Sequence, residues 1–131
     1  MRLLPLLAAL ATAAAAMTAC TSETKDPTGI EWHLRAIDGT DVEMPATLTV
    51  DATGTISGRA PCNRYTGQNQ AKLPEMKVPA FASTKMACDR LDDEQVFFAA
   101  LSAMTRLEAR ADGTLVLTGP DGRSMTFARG G

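Results

Sequence analysis

The chain has 131 residues, 45% of them apolar, with 13 Lys and Arg against 15 Asp and Glu and a formal net charge of −2. That length suits one domain, because about 100–150 residues is the commonest domain size. The balanced charge leaves no basic stripe, which excludes an electrostatic footprint for nucleic acid.

The N-terminal stretch reads as a targeting segment. Arg2 gives a positive start, and Leu3 to Ala16 is apolar apart from Thr12 and Pro5. This run falls short of the roughly 20 apolar residues that cross a bilayer core of about 30 Å. A positive start, a short apolar middle and small residues at a cleavage point describe a secretory signal over residues 1–19. Met17-Thr18-Ala19-Cys20 resembles the lipobox of bacterial lipoproteins, although Met17 stands where Leu is usual. That resemblance implies cleavage before Cys20 and acyl chains on its thiol and new amine. Several chains anchor stably where one binds only marginally. Thr21, rather than Asp, resembles the outer-membrane sorting pattern. The expected location is therefore the cell envelope, lipid-anchored, on the outer membrane and facing the periplasm. The alternative is an ordinary secreted protein with a stray cysteine. Residues 20–28 are polar after Cys20 and carry Pro27, so they read as a lipidated tether. The domain is expected over residues 29–131.

Ile30, Trp32, Leu34 and Ala36 alternate with Glu31, His33 and Arg35, which predicts a half-buried strand. Ala46, Leu48 and Val50 repeat the pattern. Asp51-Ala52-Thr53-Gly54 then reads as a hairpin turn into a strand around Ile56. Phe97, Ala100, Leu101 and Met104 fall on one face of a helix. Asp89 is the expected N-cap, and Asp92, Asp93 and Glu94 suit the positive end of the helix dipole. Leu107 to Ala109, Thr114 to Leu117 and Ser124 to Phe127 form a meander, turned by Asp112-Gly113 and by Gly119-Pro120-Asp121-Gly122. The fold class is thus α+β and mostly β, a small antiparallel barrel-like sheet with one amphipathic helix.

Few residues suggest reaction chemistry. His33 lies on the polar side of the first strand, beside Glu31 and Arg35, and no G-x-S-x-G seats a serine nucleophile. The acids from Asp89 to Glu94 lack the loop pattern that holds calcium, and the methionines fit core packing better than copper. No metal or cofactor is expected. With Cys20 acylated, Cys62 and Cys88 remain as an even pair in an oxidising compartment. They form either a disulfide or two buried thiols. Glu94 shares the stripe of Phe97, so its carboxylate is expected to tuck under the sheet and need a donor, with Arg64 or a backbone amide as candidates. Asn63, Arg64 and Tyr65 sit at a bend, where the local reading is an Asx-type turn at Asn63 with Tyr65 packed.

Trp32-His33-Leu34, Gly58, Cys62-Asn63-Arg64-Tyr65-Thr66-Gly67, Thr84-Lys85-Met86-Ala87-Cys88, and Glu94 with Phe97 and Leu101 together resemble the META domain, also called the HslJ-like heat-shock lipoprotein family. The likeness runs from about Ile30 to Phe127. Pro61 stands where the family usually has glycine. The resemblance implies a β-rich barrel-like fold with one helix, pairing of Cys62 with Cys88, an envelope location and, in some members, a role in stress or antibiotic tolerance. It supplies no catalytic mechanism. Asn63, Arg64, Tyr65 and Glu94 are its candidate surface, and an unknown envelope protein is the expected partner beside the membrane itself. The expected function is a non-enzymatic binding or envelope-stress module; a carrier of a small apolar ligand or lipid inside the sheet is the alternative.

Overall fold

The alternating run at the start of the domain forms the central strand of the sheet in a computed structural model, which describes residues 12–14 and 25–130. The strands are β1 (Trp32–Ile37), β2 (Thr40–Asp41), β3 (Thr47–Val50), β4 (Thr55–Arg59), β5 (Arg64–Gln68), β6 (Ala82–Ser83), β7 (Arg106–Ala109), β8 (Thr114–Thr118) and β9 (Ser124–Arg129). The helix α1 spans Leu91–Ala103. All neighbouring strands are antiparallel, in the order β6-β5-β4-β3-β1-β9-β8-β7, and β2 pairs only with β1.

Period two places Leu48, Val50, Ile56, Leu115, Leu117, Met125 and Phe127 on the buried face, where Trp32 and Phe97 join them in one core. β1 departs from the simple alternation. Its pairing with β9 shifts register between Leu34 and Ala36. The extra residue of that bulge turns Ile37, rather than Ala36, into the core. Turn chemistry follows the sequence closely at Asp51-Ala52-Thr53-Gly54. The Asp51 carboxylate accepts from the amides of Thr53 and Thr55, both at 2.9 Å, and Gly54 takes φ +85°.

The sheet does not close on itself, since β6 and β7 are its two ends. Residues 74–76 run along the outer edge of β7 instead: Leu107 N–H donates to Pro74 O and Met76 N–H to Thr105 O, each at 2.8 Å. This covering strip leaves less of the edge free to pair with another chain.

α1 lies across one end of the sheet. Phe97, Ala100 and Leu101 are buried, as the helical spacing requires, and Met104 is buried just past the last turn. A Cβ on Gly119 would stand 2.5 Å from Ala103 O, so the helix terminus needs glycine at the end of β8. Asp89 is not the N-cap. Arg90 holds that position without a side-chain cap, because the chain turns into the helix one residue later than the acids suggest. Asp92, Asp93 and Glu94 then occupy the first turn.

Residues 25–28, expected in the tether, are bonded to the domain instead. Lys25 N–H donates to Ala109 O at 3.0 Å, Gly29 N–H donates to Val50 O at 2.9 Å, and the Trp32 indole donates to Pro27 O at 3.1 Å. Residues 25–28 therefore belong to the domain, because its central tryptophan uses them to satisfy a buried N–H. Cys20 and the cleavage region lie outside the described residues. Among the described residues, no helix is long and apolar enough to cross a membrane.

Candidate functional site

At the helix end of the sheet, one carboxylate organises three segments. Glu94 projects from the first turn of α1 and is 7% exposed. Its Oε1 accepts from the backbone amides of Cys62 (3.1 Å) and Asn63 (2.7 Å), and its Oε2 accepts from Asn63 Nδ2 at 2.7 Å. Burying a charge is tolerable only when such donors replace water. Asn63 uses the other face of its amide on the segment after β6. Its Oδ1 accepts from Met86 N–H at 2.7 Å and from the Thr84 hydroxyl at 2.9 Å. Cys62 and Cys88 close the same corner as a disulfide, with Cα atoms 6.0 Å apart, inside the range a disulfide spans without backbone movement.

Tyr65 supports this corner from below. Its ring meets Phe81, Phe97 and Phe98 at centroid distances of 5.7, 5.5 and 5.6 Å, in edge-on or tilted contacts. Its hydroxyl donates to Thr47 O at 2.6 Å, and burial pushes the phenol pKa far above its ordinary value, so it stays neutral. Gly58 makes room for that bond. A Cβ there would lie 2.1 Å from Thr47 O and 3.0 Å from the Tyr65 hydroxyl.

Above the buried cluster lies an open cleft of about 600 Å³, whose floor includes Asn63 and Glu94 and whose walls include Met86, Leu91 and Phe98. Met86 is 62% exposed and Leu91 42%, so the cleft has apolar side chains open to solvent on its walls. The bonds from Asn63 and the disulfide hold the segment that carries Met86 outward.

A family model for the META domain matches residues 25–130. The chain belongs to the META domain family. Among solved structures, the META domain is similar to a protein from Burkholderia xenovorans determined by NMR, at 26% identity and a TM-score of 0.59, covering 89% of this chain and 99% of that one. It also shares its fold with a DUF4847 family protein from Bacteroides vulgatus, a crystal structure at 17% identity and a TM-score of 0.54, covering 78% of this chain and 93% of that one. Among curated proteins, none matches at a comparable level.

The four motif residues of the META domain do not form a surface. Asn63, Tyr65 and Glu94 are buried, and only Arg64 reaches solvent. Asn63 does not close a local Asx turn, because its side chain bonds across to residues 84, 86 and 94. Arg64 is not the donor to Glu94; the backbone amides and the Asn63 side chain fill that role. Met86 departs from the expected core packing, whereas Met76, Met104 and Met125 are buried. His33 is half-exposed and pairs with Glu31 at 3.0 Å. Among the described residues, no three His, Cys, Asp or Glu side chains are grouped as a metal site would need.

A second buried asparagine escaped the sequence reading. Asn69 donates to Glu75 O at 3.0 Å and accepts from Lys77 N–H at 2.7 Å and Ala71 N–H at 3.2 Å, thereby shaping the strip that covers β7. Its only signal in the sequence was an amide between Gln68 and Gln70 at the start of a loop, a setting that many exposed asparagines share.

Proposed function

We propose that the chain is exported, anchored to the outer membrane through acyl chains on Cys20, and works there as a non-catalytic module that binds an envelope protein. The saturation of the motif's polar groups supports this most directly. Glu94 accepts three hydrogen bonds and Asn63 bonds through both ends of its amide, so the motif serves to hold the loop that presents Met86. The exposed pair Met86 and Leu91 then offers apolar area beside Lys85 at the cleft rim, the mix of apolar centre and polar edge that protein interfaces use. A carrier would need its ligand in the sheet interior, where Trp32, Phe97, Phe127 and Met125 are packed against one another.

Two experiments test the two halves. Labelled palmitate should enter the wild-type chain and be lost in Cys20→Ser; wild-type protein without label contradicts the anchor. Met86→Asp combined with Leu91→Asp should leave the fold intact and abolish co-purification of the envelope partner. Retention of that partner by the folded double variant contradicts the binding surface.

A further inference from the structure

β6 ends the sheet, and its outer edge carries no further strand among the described residues. Its pairing with β5 sets Tyr65 opposite Ser83 and Thr66 opposite Ala82, and Thr84 N–H donates to Arg64 O at 3.0 Å. Antiparallel strands turn alternate residues toward their partner. Ala82 and Thr84 therefore bond inward, while Ser83 and Lys85 aim their main-chain groups outward. Asn63 carries this alternation past β6. Its Oδ1 accepts from Met86 N–H at 2.7 Å and its Nδ2 donates to Met86 O at 3.4 Å, the two bonds that a strand residue would supply. The edge thereby runs on from Ser83 to Ala87, roughly 13 Å at strand spacing.

Among the described residues, no hydrogen-bond partner meets the main-chain groups of Ser83 or Lys85. The far end of the sheet differs, because residues 74–76 already lie along β7. Natural sheets blunt their open edges, so a bare edge beside apolar walls marks a place for pairing. This edge forms one wall of the cleft. Leu91, Gln95 and Phe98, at i, i+4 and i+7 on one face of α1, form the other. Cross-strand neighbours share a face, so Ser83 lies on the side of Tyr65, whose ring meets Phe98 at 5.6 Å. A strand added outside β6 would place its residue opposite Ser83 on that side, toward Phe98 and Leu91.

We propose that the cleft takes an extended segment of a partner protein as an added strand, bonded to the main chain of Ser83 and Lys85. A large apolar side chain of that segment, opposite Ser83, sits between β6 and α1. This mode of binding rests on the reading of the Met86–Leu91 cleft as the binding surface. Strand addition draws affinity from main-chain bonds and selects side chains through pockets. A second copy paired by the same edge would offer Ser83 or Lys85 at the bonded positions, and neither supplies an apolar side chain to the cleft. The partner segment also has no proline where its amides meet the edge.

The test selects binders to the full-length protein in detergent from a phage-displayed library of random linear heptapeptides. Ser83→Pro and Lys85→Pro each remove one outward N–H and leave the bonds to β5 in place, a setting in which edge strands tolerate proline. Either variant should weaken the selected peptides about tenfold or more, as should N-methylation of the peptide amide that meets Ser83. On wild-type protein the Ser83 and Lys85 amides should gain exchange protection when peptide binds. N-methylation and exchange are read on the wild type, so they decide the matter even where a proline variant fails to fold. Peptides indifferent to the proline variants and to N-methylation, or protecting neither amide, overturn strand addition. If such peptides are still lost in Met86→Asp with Leu91→Asp, the apolar surface stands without it; if they bind that variant too, both readings fall. A library that yields no binder, or a free chain whose dimer separates in Ser83→Pro, overturns the partner segment.

Discussion

Asn63 and Glu94 meet twice: the Asn63 backbone amide reaches Glu94 Oε1 and its side-chain amide reaches Oε2, each at 2.7 Å. This two-point contact locks the start of α1 against the bend before β5. Through the far side of the Asn63 amide, it also fixes the position of Met86. A cluster built this way carries stability and shape, and removing any member strands the others without water.

Substitution at Glu94 should therefore be costly. Glu94→Gln places an amide N–H where the oxygens now accept, and should cost about 1–3 kcal/mol by leaving buried donors unpaired. Glu94→Ala should cost at least as much. Asn63→Ala should match it within the non-additivity expected of one network. Urea unfolding of the three variants checks this; a loss within experimental error for Glu94→Ala would contradict the assigned role.

Gly58→Ala should prevent folding or cost more than about 3 kcal/mol, because the methyl group would collide with backbone rather than with a flexible side chain. Gly113→Ala is the contrast. Its φ is +88° but nothing lies within 4 Å of the new Cβ, so the cost should stay near 1–2 kcal/mol, roughly the left-handed penalty alone. Thermal denaturation separates the two.

Reduction of the Cys62–Cys88 bond, which closes residues 26 apart, should lower stability by about 2–4 kcal/mol. Amides of residues 84–88 should lose exchange protection before those of β1 and β9. Uniform loss across the sheet would contradict a local clasp.

Asp26, Asp38, Asp51 and Asp112 are held below the ordinary carboxylate range. Hydrogen bonds within the turn lead for Asp26, Asp51 and Asp112, and the Ser124 amide leads for Asp38. Folding therefore favours their ionised forms. Their contribution is complete above the unfolded value near 3.8, and it is lost as pH falls from there through the lowered folded values. Urea midpoints should be flat from neutral pH to about 5 and then fall, given unperturbed aspartate near 3.9. Asp51→Asn should make that fall shallower.

The strands were legible because burial repeats every second residue. Leu48, Val50, Leu115 and Leu117 announce their faces, and the helix stripe of Phe97, Ala100 and Leu101 does the same at its own period. What was hidden depended on partners distant in the chain. The β1 bulge is set by β9, so Ala36 could not be told from Ile37 by alternation alone. β2 and β6 are two residues each and have no periodicity to show. The need of Glu94 for a donor was readable from its place on an apolar stripe. Its actual partner, 31 residues away, was not, because backbone amides leave no mark in the sequence. For the same reason the motif looked like a surface when it is a buried clasp that shapes one.

Photo-cross-linking in intact cells tests the functional claim most directly, with the photoreactive residue at Met86 or at Ala111. The account predicts a discrete protein adduct from position 86, lost when Glu94→Ala releases the loop, and no protein adduct from position 111. A protein adduct from 111 alone, or one from 86 that survives Glu94→Ala unchanged, would contradict it.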